Sequence, residues 1–315
     1  MFISCGDALI DVFNQPTDIV GKVAMHGHVG GSPLNVAVGL ARLGNEAGFL
    51  CKNSSDFMGQ QIAAYMKLNG VRDDWMLETS LNSTLAMIQT NADGSANYSF
   101  YTDNTADVSL RTNELPDKMP DSLDALHFSS YSTAVGSTRR ALLSLAKREA
   151  GNCVISYDPN LRTSIEPDTS IWRDTFAQLS PLANYVKASD EDISMLFGDG
   201  KSFESFAVDT IGAGASLVAV TEGADGCTLY TEDGRRARSK PIKVTVADTV
   251  GAGDTFQAAS LHWLKAHRCI SNGTLNLADA DIEACVNFAA VAAAITCTRH
   301  GADLPTLQEV EAGLS

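Results

Sequence analysis

The stretch DTVGAGDTF, Asp248 to Phe256, sets Gly251, Ala252 and Gly253 directly before Asp254 and then opens into the alanine-rich run DTFQAASLHWLKAH. Three small residues in a row let the chain turn and present successive backbone N–H groups at a helix start, with no bulk in the way. Such a helix mouth attracts an anion, because unpaired donors and aligned peptide dipoles both favour negative charge. Asp254 falls in the first turn, where a carboxylate complements the dipole. It also stands where a base and an anionic substrate would meet.

Working outward, short apolar runs alternate with helical patterns along the chain. MFISCGDALIDVF reads as a buried strand running into a turn. EAGFLCKNSS, LDALHFSS, NCVISYDPN, ANYVKAS and ASLVAVTEG are further strands that end in polar or small residues. Between them lie helical stretches such as PLNVAVGLARLG, FMGQQIAAYMKLNG and STRRALLSLAKREAG, the last two ending in Gly as helix C-termini commonly do. This alternation predicts an open, mostly parallel α/β sheet with helices on both faces, built as a single domain over residues 1–315. Two segments break the rhythm. GKVAMHGHVGG and STLAMIQTNADGSANYSFYTD alternate as strands, with NADGSAN as a hairpin turn between the halves of the second. They predict a small β lid, near 12–30 and 82–104, over the carboxyl edge of the sheet, where ligands of such folds bind.

Composition narrows the function. Acids outnumber bases 38 to 23, a net charge of −15, which opposes any general affinity for nucleic acid. The basic run GRRARSKPIK, Gly234 to Lys243, reads as a solvated strand or turn. Seven cysteines without C-x-x-C spacing point away from zinc and disulfides and toward a reducing cytoplasm. No apolar run is long enough to span a bilayer, and no export signal is read at the N-terminus.

Ser32 and Pro33 read as the N-cap and first residue of the helix PLNVAVGLARLG, with Gly30 and Gly31 allowing close backbone approach and Asn35 in the first turn. His26 and His28 lack a third ligand and read as inert. No G-x-x-x-x-G-K-[ST] occurs, which excludes a P-loop. No G-x-G-x-x-G follows the first strand, which weakens a dinucleotide-binding reading.

Taken together, GGSPLNVAVGLARLG (Gly30 to Gly44), DPNLR (Asp158 to Arg162), KASDED (Lys187 to Asp192), DTVGAGDTF and the late RHGA resemble the PfkB, ribokinase-like family of carbohydrate kinases along essentially the whole chain. The resemblance implies ATP-dependent transfer of a γ-phosphoryl group to a sugar hydroxyl, with Asp254 as general base and the amides of Gly251, Ala252 and Gly253 as the anion hole. It implies sugar contacts from Asp11, Gly30, Gly31, Asn35, Tyr101, Arg162 and Asp254. It places Lys187, Ser189, Thr221, Gly223, Gly226, Gly251, Gly253 and Asn287 on ATP, Asp192 on Mg2+ through water, and Asp248 on a K+ loop. Ser189 departs from the asparagine usual in the family at that place, so its role is open. GDALIDVF, SFYTDNTAD and DPNLR are similar to bacterial fructokinases and imply fructose as substrate. The alternatives are 2-keto-3-deoxygluconate, ribose, or a non-catalytic sugar or nucleotide sensor on the same fold. The lid strands, which would otherwise expose edges and apolar side chains, imply a homodimer.

Overall fold

A computed structural model describes residues 1–15, 17–90, 96–240 and 242–314. In chain order the strands are β1 (Phe2–Cys5), β2 (Leu9–Gln15), β3 (Ala24–Gly30), β4 (Ala47–Ser54), β5 (Met76–Thr79), β6 (Thr84–Thr90), β7 (Ala96–Tyr101), β8 (Ala125–Ser129), β9 (Val154–Asp158), β10 (Tyr185–Ser189), β11 (Leu217–Thr221), β12 (Cys227–Thr231) and β13 (Arg236–Arg238). The helices are α1 (Ser32–Arg42), α2 (Phe57–Leu68), α3 (Gly136–Glu149), α4 (Thr169–Leu179), α5 (Asp190–Phe197), α6 (Phe203–Gly212), α7 (Ala252–Ala266), α8 (Ile282–Cys297) and α9 (Leu307–Gly313).

Nine strands form one sheet in the order β13-β12-β11-β10-β9-β8-β1-β4-β5. It is parallel from β11 to β5, and β12 and β13 extend it antiparallel. Its inner strands are buried on both sides and so read as continuous apolar runs, whereas the edge strands β5 and β13 are partly exposed. Along β11, Val218 and Val220 join a core with Leu142 of α3, Trp172 of α4 and Phe206 of α6. Leu217 and Ala219 point the other way, into a core with Leu40 of α1, Leu261 of α7 and Val286 of α8. This is the doubly covered α/β sheet that the alternation predicts. The basic run forms the edge strand β13, where Arg238 pairs with Glu222 across 2.6 Å.

The second sheet, in the order β3-β2-β6-β7, corrects one expectation. MFISCGDALIDVF is not one strand: β1 stops at Cys5, and β2 leaves the main sheet to pair with β3 and β6. Gly6 makes the break, with φ of 144° and a Cα packed so tightly that any Cβ would run into Ser132 Oγ. Asp11 therefore lies inside the small sheet and not near the end of the first main-sheet strand. Ile10 and Val12 bury one face of that sheet against Leu34 and Val38 of α1 and Ile62 of α2. Asp11 and Phe13, one residue out of phase, pair with His28 and His26 on the other face. The turn expected at NADGSAN lies largely in 91–95, outside the described residues.

β1 sits between β4, reached through the small sheet and α1, and β8, which begins the run of strands on the opposite side. A crevice is expected where the chain order reverses in this way, outside the carboxyl ends of the strands. The register brings the chemistry-bearing ends level there: Ser129 of β8 lies opposite Asp158 of β9, and Ser189 of β10 opposite Thr221 of β11.

Candidate active site

Two helices begin at this crevice without a side-chain cap. α7 starts after Gly251, whose φ is 78° and whose Cα stands so close to Ala302 that a Cβ would lie 2.7 Å from the Ala302 Cβ. Glycine is required at that position twice over, by conformation and by space. No side chain closes the helix mouth, and the one backbone bond there, from Ala252 N to Thr249 O, is long at 3.2 Å and open to displacement by an anion.

α1 starts differently from the sequence reading. Its N-cap is Gly31, at φ 114°, and Ser32 is already helical. The Ser32 hydroxyl caps nothing; it donates to Asp254 Oδ1 across 2.7 Å, because an ionised carboxylate is a stronger acceptor than any local backbone group. Asn35 Nδ2 donates to Asp254 Oδ2 across 2.8 Å. The buried Asp254 carboxylate thus sits at the mouth of α1 while belonging to the first turn of α7.

A cation stands beside it. Lys187 Nζ donates to Asp158 Oδ2 across 2.6 Å, both side chains almost wholly buried. A Cβ on Gly253 would lie 3.3 Å from Nζ, which places the ammonium against the first turn of α7. Burial opposes the charge on Lys187, but Asp158, Asp192 and Asp254 together outweigh it and hold its pKa above the usual value. Burial pushes Asp158 up to about 6, with Lys187 pulling the other way.

The remaining candidates divide. Asp11 approaches the site from β2, and Gly30 makes room for it, since a Cβ there would overlap Asp11 Oδ2. Burial raises the Asp11 carboxyl to about 6, while the positive charge of Arg162 draws it down and the negative charges of Asp248 and Asp254 add to the rise. Ser189 and Asp192 form the capping box of α5, with Ser189 Oγ accepting from Asp192 N and the Asp192 carboxylate from Ser189 N. Asp192 Oδ1 also accepts from Leu161 N at 2.8 Å and so ties down the DPNLR loop. Asp248 accepts from Val250 N and Gly301 N, both at 3.0 Å, joining the loop before α7 to the RHGA segment. Asn287 Oδ1 accepts from Lys240 N at 2.8 Å. Thr221, Gly223 and Gly226 line the β11–β12 turn, and Tyr101 lies exposed at the end of β7.

With this geometry in hand, the profile of the pfkB family carbohydrate kinases matches residues 3–309. The chain belongs to that family. A fructokinase of Rhizobium leguminosarum bv. trifolii is 36% identical over 268 residues, 84% of this chain and 80% of the relative. A fructokinase of Xylella fastidiosa solved with bound ATP superposes with a TM-score of 0.89 at 26% identity, covering 99% of this chain and 97% of that one. A fructokinase double mutant of Vibrio cholerae O395, solved with fructose, ADP and potassium, gives a TM-score of 0.85 at 24% identity over 100% of this chain and 98% of that one.

Sequence reasoning missed the polar knot beneath this family kinase's small sheet. Asp7, between β1 and β2, is fully buried, and its Oδ2 has no hydrogen-bond partner among the described residues. Asp107 accepts from Thr84 Oγ1 at 2.6 Å, from Thr105 Oγ1 at 2.9 Å and from the Tyr131 hydroxyl. Burial, reinforced by Asp107, raises the Asp7 carboxyl to about 7. The folded protein therefore keeps a proton on Asp7 that the unfolded chain releases near the ordinary value of 3.8. Across that window unfolding sheds a proton, so this group's contribution to stability falls as pH rises toward 7 and stays low above it. Asp7→Asn, an isostere of the neutral acid, is expected to match wild type near pH 4. By pH 8 it should be more stable by on the order of 3 kcal/mol. Urea unfolding at the two pH values checks this, and a difference independent of pH would refute the protonated carboxyl.

Proposed function

We propose that D-fructose is the sugar phosphorylated by this ATP-dependent carbohydrate kinase, with Asp254 as general base. One observation carries the assignment of roles. A buried carboxylate stands where two uncapped helix N-termini meet, with the Lys187 ammonium against the same turn. Phosphoryl transfer needs positioning and charge stabilisation more than covalent help, so a base, an amide nest and a cation are a sufficient apparatus. Asp254 takes the proton of the attacking hydroxyl, and the amides of 251–253 with Lys187 hold the phosphoryl oxygens.

Fructose is supported by the named relatives and by the charge of the pocket. A sugar acid such as 2-keto-3-deoxygluconate would need free cations. Here Lys187 is bonded to Asp158, and Arg162 acts over the Asp11 carboxyl, whose own charge opposes a second anion in the pocket. Asp11 and Asn35 suit the hydroxyls of a neutral polyol. Ribose is disfavoured because Ser32 follows Gly31 where ribokinases usually carry Lys.

The adenosine would lie along Thr221, Gly223, Gly226 and Asn287. Asp192 Oδ2 already accepts from Ser189 N and Ser189 Oγ and Oδ1 from Leu161 N, which leaves one lone pair, on Oδ1, for a water. Asp192 therefore fits magnesium held by ATP and reached through water; such an ion supplies neutralisation of phosphate charge. Asp248 shapes the loop on which a potassium ion would sit, the ion present in the Vibrio cholerae relative. The small sheet is read as a lid that excludes water from the γ-phosphate. Val23, Met25 and Tyr101 stand exposed on it, which supports a homodimer closed through the lids. Light scattering at micromolar concentration should then give twice the mass of the chain, and a monomer would remove that interface. All cysteines are free thiols and no helix of the described residues is long and apolar enough to cross a membrane. The thiols favour a reducing cytoplasm, and the acidic balance disfavours nucleic acid.

The decisive experiment is a set of specificity constants for fructose, ribose, 2-keto-3-deoxygluconate and nucleosides, with and without potassium. Fructose is expected to lead by about tenfold or more, and potassium to stimulate. A higher constant for another substrate would replace fructose. Indifference to potassium would remove Asp248 from the site.

A further inference from the structure

Asp254 is held at both oxygens, but the two holds are unlike. At Oδ1 the partner is Ser32 Oγ, which also lies 2.8 Å from Asn160 Nδ2 and 3.2 Å from Ser129 Oγ. An ionised carboxylate only accepts, so the single hydroxyl proton of Ser32 must point at Asp254. The groups on its other side must then donate: Asn160 presents its NH2, and Ser129 turns its proton toward Ser32. With one proton given and two lone pairs filled, the Ser32 hydroxyl is saturated. At Oδ2 the partner is Asn35, whose own Oδ1 is buried with no hydrogen-bond partner among the described residues. Asn35 is the half-satisfied member of the pair, and Ser32 the complete one.

Asn160 is held in place by its backbone. Its φ is 38°, a left-handed value uncommon outside glycine, and the loop is fastened next door by Leu161 N donating to Asp192 Oδ1. A strained residue kept in position by its neighbours, aiming a donor at a hydroxyl on the base, has no evident part in packing the core.

We infer that Ser32, aimed by Asn160, is a positioning residue that clamps Oδ1 of Asp254 and leaves Oδ2 as the oxygen that takes the proton. This rests on the reading of Asp254 as the base. The incoming sugar hydroxyl replaces Asn35 Nδ2 at Oδ2, and the amide, freed, offers its unpartnered Oδ1 to a second hydroxyl. The proton passes to Oδ2 as the sugar oxygen bonds to the γ-phosphorus and the bond from that phosphorus to the bridging oxygen of ADP breaks. Ser32 keeps its bond to Oδ1 throughout, so the carboxylate does not rotate as its charge is lost.

The test is a double-mutant cycle in the full-length enzyme with Ser32→Ala and Asn160→Gly, glycine being chosen because it accepts the left-handed backbone. Ser32→Ala is expected to lower kcat about tenfold, the loss of one hydrogen bond to a charged group, with KM for sugar and ATP within about twofold of wild type. Asn160→Gly should lower kcat in the same sense, and the double variant should be no slower than the slower single one, since both act through one hydroxyl. Three results would overturn the clamp: wild-type kcat in Ser32→Ala, a loss confined to KM, or losses that multiply in the double variant. The base itself is judged separately by Asp254→Asn. Turnover lost there but kept in Ser32→Ala removes the clamp and leaves the base, whereas turnover kept in Asp254→Asn removes the base.

Discussion

Asp254→Asn is expected to fold, to bind sugar, and to lose turnover by a factor on the order of 10² or more. Folding should survive because the site can rearrange around an amide. The retained Oδ1 still accepts from Ser32 Oγ. The new amide nitrogen would face Asn35 Nδ2, donor to donor, but Asn35 has a buried oxygen in want of a partner and resolves the conflict by turning its amide over. What cannot be restored is a proton acceptor at the attacking oxygen. The loss should therefore appear in kcat, with sugar binding measured by calorimetry little changed. A variant that turns over within a few-fold of wild type would end the assignment of Asp254 as base.

How far the sequence discloses this site depends on the distance over which each feature is written. Gly251 and its neighbours declare a helix mouth because turn, small residues and helix start are contiguous. The alternation of β6 and β7 and of β3 is local too, and it marks the small sheet. Partnerships across the fold are not written locally. Ser32 and Asp254 are 222 residues apart, and their contact exists only because the chain order reverses beside β1 and sets α1 and α7 mouth to mouth. The pattern S-P at a helix start matches a capped helix equally well, and only the arriving carboxylate decides which bond the hydroxyl makes. The same holds for Gly6: in the sequence it interrupts a continuous apolar run, and nothing nearby reveals that Ser132 will occupy the space a Cβ would need. Asp7 and Asp107 lie a hundred residues apart in sequence, and their shared burial is a consequence of where the small sheet joins the large one.

Lys187→Met is the second substitution expected to have a large effect, and it separates two roles that one residue fills. The first is electrostatic. The ammonium lies against Gly253 in a nearly dry site, where a charge aimed at the transferring phosphoryl group is worth far more than in water. Its removal should lower kcat/KM for ATP by on the order of 10² to 10³. The second role is structural, since Asp158 is left buried without its counter-charge, and breaking such a pair destabilises by several kcal/mol. The two roles part company with pH. Burial already raises the Asp158 carboxyl to about 6 with Lys187 present, and without that opposing charge it rises further. In the variant a protonated Asp158 is tolerated at low pH. Above about 6 the wild-type Asp158 ionises beside Lys187 while the variant must keep its proton or bury an unpaired charge, so the deficit in stability widens as pH increases beyond that value. Adding Asp158→Asn removes the buried charge, and the double variant should regain stability at pH 8 while its use of ATP stays impaired. Recovery of turnover along with stability would mean that Lys187 serves only to neutralise Asp158, and the charge on the phosphoryl group would then rest on the amides of α7 alone.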